Sequence, residues 1–436
     1  MRMRIAVVGG GWAGLAAAVA AVEAGHDVAL LEAARSLGGR ARALTVAGPG
    51  GAPLLLDNGQ HILIGAYTEC LRLMVTVGVD PQHAFARLPL ALRFADGSGL
   101  QWPDIAPPWD AVFGIAWARG WSWRERLAML GRAQAWQRQR FACAPEQSVA
   151  ALCRGLPPRL LGEFIDPLCV AALNTPAHEA SGQVFLRVLR DSLFSGPGGS
   201  NLLLPRTDLG ALLPVAAERW LRSRGAIVRS GARVRALAAT PAGWSVDGSP
   251  FDAVLLATSS TEAARLVAQC AQAAPLADAV ALCDWAASAQ ALRFESITTV
   301  YARAAVPASG SVLARPMLAL RSAPAQFVFD RGQLGGPPGL LAFVVSASRA
   351  ERAQTEAQVL QQAEQELHLP GLQCVQTVVE RRATFACTPG LVRPAARIAP
   401  GLWACGDYVA GPYPATLEGA VRSGQAAAAG LQDAIE

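Results

Sequence analysis

The chain has 436 residues, enough for two or three domains around a sizeable core, and a composition that is 52% hydrophobic and 16% charged excludes a disordered or fibrous protein. All 38 basic residues are arginines, so a pyridoxal Schiff base and a Walker-type phosphate loop, which both need lysine, are excluded. The net charge of +5 is spread along the chain, which argues against nucleic acid, and nine scattered cysteines and five dispersed histidines read as thiols of a reducing cytoplasm rather than as disulfides or a metal centre.

The first element is the apolar run Ile5 to Val8, which breaks into Gly9-x-Gly11-x-x-Gly14 and passes into an Ala-rich helical stretch. This is the pattern of a dinucleotide-binding turn. Gly9 permits the tight turn, Gly11 lets backbone approach a pyrophosphate, and Gly14 lets helix and strand pack closely, with the phosphates on the helix N-terminus. A second strand, Val28 to Leu31, runs into Glu32, placed to grip a ribose hydroxyl. The opening also imitates a secretory leader, because Met1-Arg-Met-Arg4 precedes a long uncharged run. Five glycines by position 25 and the acid-ended second strand fit a nucleotide fold better, and a cytoplasmic location is expected.

Two further glycine turns follow, Leu37-Gly-Gly39-Arg40 and the end of a strand at Asp57-Asn-Gly59-Gln60-His61. Between about 85 and 200 the texture changes to tryptophan, proline and amphipathic helical patterns, which predicts a separate, largely helical region. Six of the eleven tryptophans (102, 109, 117, 121, 123 and 136) lie there among six arginines, an interfacial composition that predicts peripheral membrane contact over 102–141; a tryptophan-lined tunnel wall is the competing reading. Beyond it, a helix is predicted over Leu209–Arg224, a strand over Ala226–Arg229, and a β-meander from Val234 to Thr258. Strands follow at Ile297–Tyr301, Phe327–Phe329 and Leu340–Val345, a helix over Ala350–Leu367, a strand at Leu402–Cys405, a Gly406-Asp407 turn, and a closing helix from Pro414 to Leu431.

These glycine turns, with the late Gly406-Asp407 turn and its helix, resemble the FAD enzymes of the amine oxidase and phytoene desaturase superfamily. The resemblance implies an α/β fold in which a discontinuous, Rossmann-like FAD domain (1–84, 201–270 and 386–436) is joined to a mixed α/β, partly helical substrate domain (85–200 and 271–385). It implies FAD contacts from Gly9, Gly11, Ala13 and Gly14 at the pyrophosphate turn, Glu32 at the ribose, Gly39, Arg40, Gly59 and Gln60 along the cofactor, Val234 at adenine, Gly406 and Asp407 near the ribityl chain, and Leu417 on a helix aimed at the flavin ring.

Three longer strings, Asp57-Asn-Gly-Gln-His-Ile-Leu-Ile-Gly-Ala-Tyr67, Pro167-Leu-Cys-Val-Ala-Ala-Leu-Asn-Thr-Pro176 and Gly411-Pro-Tyr-Pro-Ala-Thr-Leu-Glu418, are similar to the hydroxysqualene dehydroxylase family. That resemblance implies reductive removal of a hydroxyl from a small-molecule polyprenoid, with dissociable FAD, an acid to help the hydroxyl leave, and no metal. Asp166, expected to be buried and protonated, is the first candidate acid, and His61 the second. A single dinucleotide fingerprint implies an external electron donor, such as NADPH or a donor protein, met in transient contact. A phytoene- or carotenoid-type desaturase, running the same chemistry oxidatively, is the alternative, and a non-catalytic lipid carrier the third.

Overall fold

The computed structural model describes residues 2–193, 196–273, 275–307 and 310–431. Eleven strands make its two principal sheets: β1 (Arg4–Val8), β2 (Asp27–Leu31), β3 (Ile227–Arg229), β4 (Ala253–Leu256), β5 (Phe294–Arg303), β6 (Met317–Ala319), β7 (Phe327–Asp330), β8 (Leu340–Ser346), β9 (Gln373–Phe385), β10 (Arg397–Ala399) and β11 (Leu402–Ala404). The first sheet has the order β3-β2-β1-β4-β11-β10, parallel except for the antiparallel edge strand β10. Its central strands read as unbroken apolar runs because both faces are covered. The second sheet, β6-β7-β8-β5-β9, is antiparallel throughout. The fold is the expected α/β one, a Rossmann-like sheet assembled from three stretches of sequence beside a substrate domain.

Six helices matter for the site: α1 (Trp12–Glu23), α2 (Thr68–Thr76), α3 (Trp109–Ala116), α4 (Trp123–Arg138), α5 (Asp166–Leu173) and α6 (Leu417–Gly430). α1 is buried nearly all round, as its alanine-rich sequence allows, and is clasped between the parallel sheet and α6. Two glycines make that clasp possible. A Cβ on Gly14 would stand 1.9 Å from the Gly9 carbonyl oxygen, and one on Gly424 of α6 would stand 2.1 Å from that of Ala13.

Several expectations need correction. The helix predicted over Leu209–Arg224 is two, Leu209–Leu212 and Pro214–Ser223, because Leu213 leaves helical geometry and Pro214 restarts the chain at a position where its missing N–H does no harm. The last helix begins at Leu417, not Pro414, because Thr416 is extended and caps it, accepting from the Gly419 N–H at 2.9 Å. The region from 85 opens with short strands, Phe85–Leu88, Ala91–Arg93 and Gly99–Gln101, before any helix. Its tryptophans divide evenly: Trp102, Trp121 and Trp136 are core, whereas Trp109, Trp117 and Trp123 are exposed. Among the described residues no helix is long and apolar enough to cross a membrane.

Because Gly424 seats α6 on α1, Gly424→Ala should push the two helices apart and lower stability by about 1–3 kcal/mol. Chemical denaturation, together with the flavin retained on gel filtration, checks this; unchanged values for both would show that the helices yield without consequence.

Candidate active site

The glycine turn after β1 is a cradle of bare backbone. Gly9 has φ +111°, and a Cβ there would lie 2.5 Å from the Ala257 carbonyl oxygen. A Cβ on Gly11 would meet nothing nearer than the Gly39 Cα at 3.8 Å, and Gly39, at φ +61°, faces it across the gap. The second glycine turn is tied to the first: the Gly38 N–H donates to Gly10 O at 2.8 Å, the Trp12 indole donates to Ala41 O at 3.2 Å, and the Arg42 guanidinium holds Gly39 O. Gly11 caps α1 without any side-chain bond and the first turn of α1 carries no acid, so the positive end of the helix is left unneutralised beside Ala13 and Gly14. Just past β2, the Glu32 carboxylate accepts from the N–H groups of Gly10 and Ala34, both at 2.6 Å. A phosphate-and-ribose group fits this arrangement.

Arg40 leaves the second turn and joins the far end of the chain. It pairs with buried Asp407 and donates to Ala383 O on β9 at 2.8 Å; burial alone would lower its pKa, and Asp407 outweighs that effect and raises it. From Gly406, whose N–H donates to Ser423 Oγ at 3.0 Å, the chain arches to α6. Arg393 holds the arch through Val409 O and Gly411 O, and the Ala415 N–H returns to Asp407 O. Leu417 is the first residue of α6. The buried Glu418 carboxylate accepts from the N–H groups of Glu69 and Cys70 in the first turn of α2 and pairs with Arg422 at 2.6 Å, which makes it a helix cap in trans.

The Asp57–His61 turn lies between these parts. Asn58 Oδ1 accepts from the Arg42 N–H at 3.0 Å and its amide donates to Arg40 O at 2.5 Å. Asp57 is buried, its backbone carbonyl accepts the Tyr301 hydroxyl at 2.9 Å, and its carboxylate accepts the Leu209 N–H at 2.8 Å; burial pushes that carboxyl up to about 6. Gly59 stands beside the Thr299 hydroxyl and the His61 ring. The Gln60 amide oxygen faces the buried Arg331 at 3.3 Å, and its amide nitrogen is buried without a partner. His61 Nδ1 is 2.9 Å from Gly59 O, an acceptor that puts the proton on Nδ1, and burial lowers the pKa of the ring so that it is neutral at pH 7 with Nε2 free to accept.

Asp166 departs from expectation. It opens α5 with its side chain exposed, not buried, although the surrounding protein still raises its pKa somewhat. The five residues before it, Leu161–Ile165, form a π-turn that shifts the helix phase. Val234 is buried, and its carbonyl already accepts from Arg265 at 3.1 Å, so one lone pair is unavailable to a base. Arg42, Ser423, Thr299 and Arg331 were not picked out from the sequence. Only Arg331 left a trace there, as a cation directly after the apolar strand Phe327–Asp330. Asn174 takes the left-handed position after α5 (φ 46°), accepts from the Ala347 N–H at 2.7 Å and donates to the Thr384 hydroxyl at 3.0 Å; its place in the Asn-Thr-Pro string is that of a brace between α5 and the antiparallel sheet.

A glycine-lined helix N-terminus, a ribose-distance acid and an arginine-braced arch define an FAD-dependent oxidoreductase. Residues 12–432 match the model of the flavin containing amine oxidoreductases, and the chain belongs to that family. It is 29% identical to the hydroxysqualene dehydroxylase of Rhodopseudomonas palustris over 98% of both chains. A shorter stretch of 76 residues, 17% of this chain and 15% of the relative, is 42% identical to the zeta-carotene desaturase of Synechocystis. Among solved structures an oxidoreductase from Methanosarcina mazei superposes with a TM-score of 0.72 over 97% of this chain and 99% of its own, at 18% identity.

The Asp57 carboxyl titrates higher in the fold than the ordinary value of 3.8 in the unfolded chain, so its contribution to stability is full below about pH 4 and is lost as pH rises through about 6. Asp57→Asn keeps an acceptor for Leu209 and removes that titration. The stability difference between wild type and variant should therefore move in the variant's favour by up to roughly 3 kcal/mol across this window, measured by urea denaturation at a series of pH values. A pH-independent difference would show that Asp57 stays ionised.

Proposed function

We propose that this enzyme reductively removes the hydroxyl of hydroxysqualene to give squalene, a step of triterpenoid (hopanoid) synthesis. The observation that carries this reading is the end-to-end similarity to the Rhodopseudomonas palustris hydroxysqualene dehydroxylase, 98% of each chain at 29% identity. FAD, when bound in the glycine cradle, supplies the hydride carrier, and the electrons come from an external donor such as NADPH. The balance is one hydride added to the allylic carbon and one proton added to the departing oxygen, so that water leaves with the C–O electron pair.

The chain's own residues have two tasks in that reaction. The first is to hold an apolar polyprenoid, for which the helical region offers a core of Phe94, Trp102, Phe164 and Phe185. The second is to deliver the proton. Asp166 fits that task better than His61: its raised pKa favours a carboxyl that holds a proton, whereas His61 is held neutral with its only N–H turned to Gly59 O. The stretch similar to zeta-carotene desaturase favours a second reading, oxidative desaturation of a polyene precursor, in which no leaving water needs a proton.

The two readings separate under anaerobic conditions. The photoreduced holoenzyme mixed with hydroxysqualene should be reoxidised with formation of squalene, followed by flavin absorbance and mass spectrometry. No reoxidation, with bleaching of the oxidised enzyme by phytoene instead, would assign it to the desaturases. Asp166→Asn should lower dehydroxylation by roughly 100-fold or more at unchanged flavin content; undiminished turnover would remove Asp166 from the reaction.

A further inference from the structure

A cluster of arginines away from the cofactor cradle has no counter-ion. The hairpin formed by Ala91–Arg93 and Gly99–Gln101 is bonded to the segment after α3, with the Gly99 N–H donating to Arg119 O at 2.8 Å and the Arg119 N–H returning to Gly99 O at 2.9 Å. This brings Arg93, Arg119 and Arg315 to the wall of one cavity of about 170 Å³, together with Phe94, Gln101 and Leu318 and with no acidic residue in its lining. Arg93 donates to the Gly97 and Gly99 carbonyls, while its Nε is buried without a partner. Burial and the repulsion of Arg119 and Arg315 lower its pKa. Among the described residues neither Arg119 nor Arg315 has an ion-pair partner, and both are exposed. The nearest carboxylates, Asp96 and Glu163, are each bonded to Arg321 at 3.1 Å. Three converging guanidiniums without an anion are a site for phosphate-like charge.

The same surface carries an aromatic ridge. Trp109, Phe113 and Trp117 follow one another at four-residue spacing on α3 and its C-cap, with ring centroids 6.2 and 4.8 Å apart. Trp109 and Trp117 are 59% and 65% exposed, Ile105 just before the helix is exposed, and Trp123 and Leu127 continue the exposed apolar set on α4. Trp117 stands two residues from Arg119. Large exposed aromatics next to unpaired guanidiniums match the two layers of a bilayer surface, acyl boundary and phosphate. A two-fold contact between copies of the chain is a poorer match, because the self-complementary face would bring two such arginine clusters towards each other.

We propose that α3 and the Arg93–Arg119–Arg315 pocket form a docking surface for an anionic phospholipid bilayer, in which a lipid phosphate sits among the guanidiniums and Trp109, Phe113 and Trp117 enter the interface. The docking needs no turnover and stands apart from the substrate reading.

The test is co-sedimentation of the full-length holoenzyme with phosphatidylcholine vesicles, with and without phosphatidylglycerol. Binding is expected only to the phosphatidylglycerol-containing vesicles. Arg119→Gln/Arg315→Gln, which disturbs no internal contact, should weaken it roughly 30-fold, and Trp109→Ser/Phe113→Ser/Trp117→Ser should abolish it, both at unchanged flavin content. Equal binding by wild type and the arginine variant, or by wild type and the aromatic variant, would overturn the proposal. So would a dimer in light scattering that the aromatic variant dissolves, or thermal stabilisation by inorganic phosphate through Arg119 and Arg315 without any vesicle binding.

Discussion

The ion pair between Arg40 and Asp407 is the closure on which the cofactor domain depends. It joins residues 367 positions apart, and each partner governs further structure. Arg40 leads from the turn that faces the α1 N-terminus and also reaches the β9 backbone, while Asp407 anchors the arch that delivers α6. Asp407 is buried and Arg40 part-buried, so losing either would strand a charge in a place water reaches poorly. α6 packs on α1 only through the missing side chain of Gly424, so the arch, the last helix and the phosphate cradle form one assembly held from both ends of the chain.

The absence of lysine takes on a structural meaning in this setting. Its first consequence is for chemistry, because no primary amine can stand near the reacting centre. Its second is architectural. Guanidiniums reach backbone carbonyls across the molecule: Arg132 to Leu152 and Arg154, Arg393 to Val409 and Gly411, Arg222 to Val228, Arg265 to Val234. A planar fork can bridge two carbonyls at once, whereas an ammonium offers a point charge without that geometry. Arg119 and Arg315 differ because they hold nothing within the chain, and this sets their cluster apart from the arginines that serve as cross-links.

Much of the fold was legible in the sequence where local chemistry leaves little choice. A glycine triplet between an apolar run and an alanine-rich helix, followed by an acid-ended strand, constrains a βαβ unit tightly, and the same held for β4, β8 and the 352–367 helix. What escaped depended on tertiary geometry. Strands of three residues, such as Ala91–Arg93, are too short to show a period. The division of the tryptophans into core and surface sets depends on which face of two short helices meets the hairpin. The exposure of Asp166 follows from the π-turn before it, which rotates the helix away from the phase a regular 3.6-residue period implies. At the candidate site the glycines and Glu32 were visible as motifs, whereas Arg42, Ser423 and Thr299 owe their positions to partners far away in the chain.

β9 has a further consequence. Ala383 offers its carbonyl to Arg40, and the next residue, Thr384, takes the Asn174 amide, so adjacent links of one strand hold the cofactor closure on one side and the helical wall on the other. The strand acts as a ruler with two marks, and sliding it by a single residue would misplace both. Inserting or deleting one residue between Gln373 and Ala383 would leave nearly every side-chain type in place, yet it would detach the oxidation–reduction half of the molecule from the half that gives it a substrate.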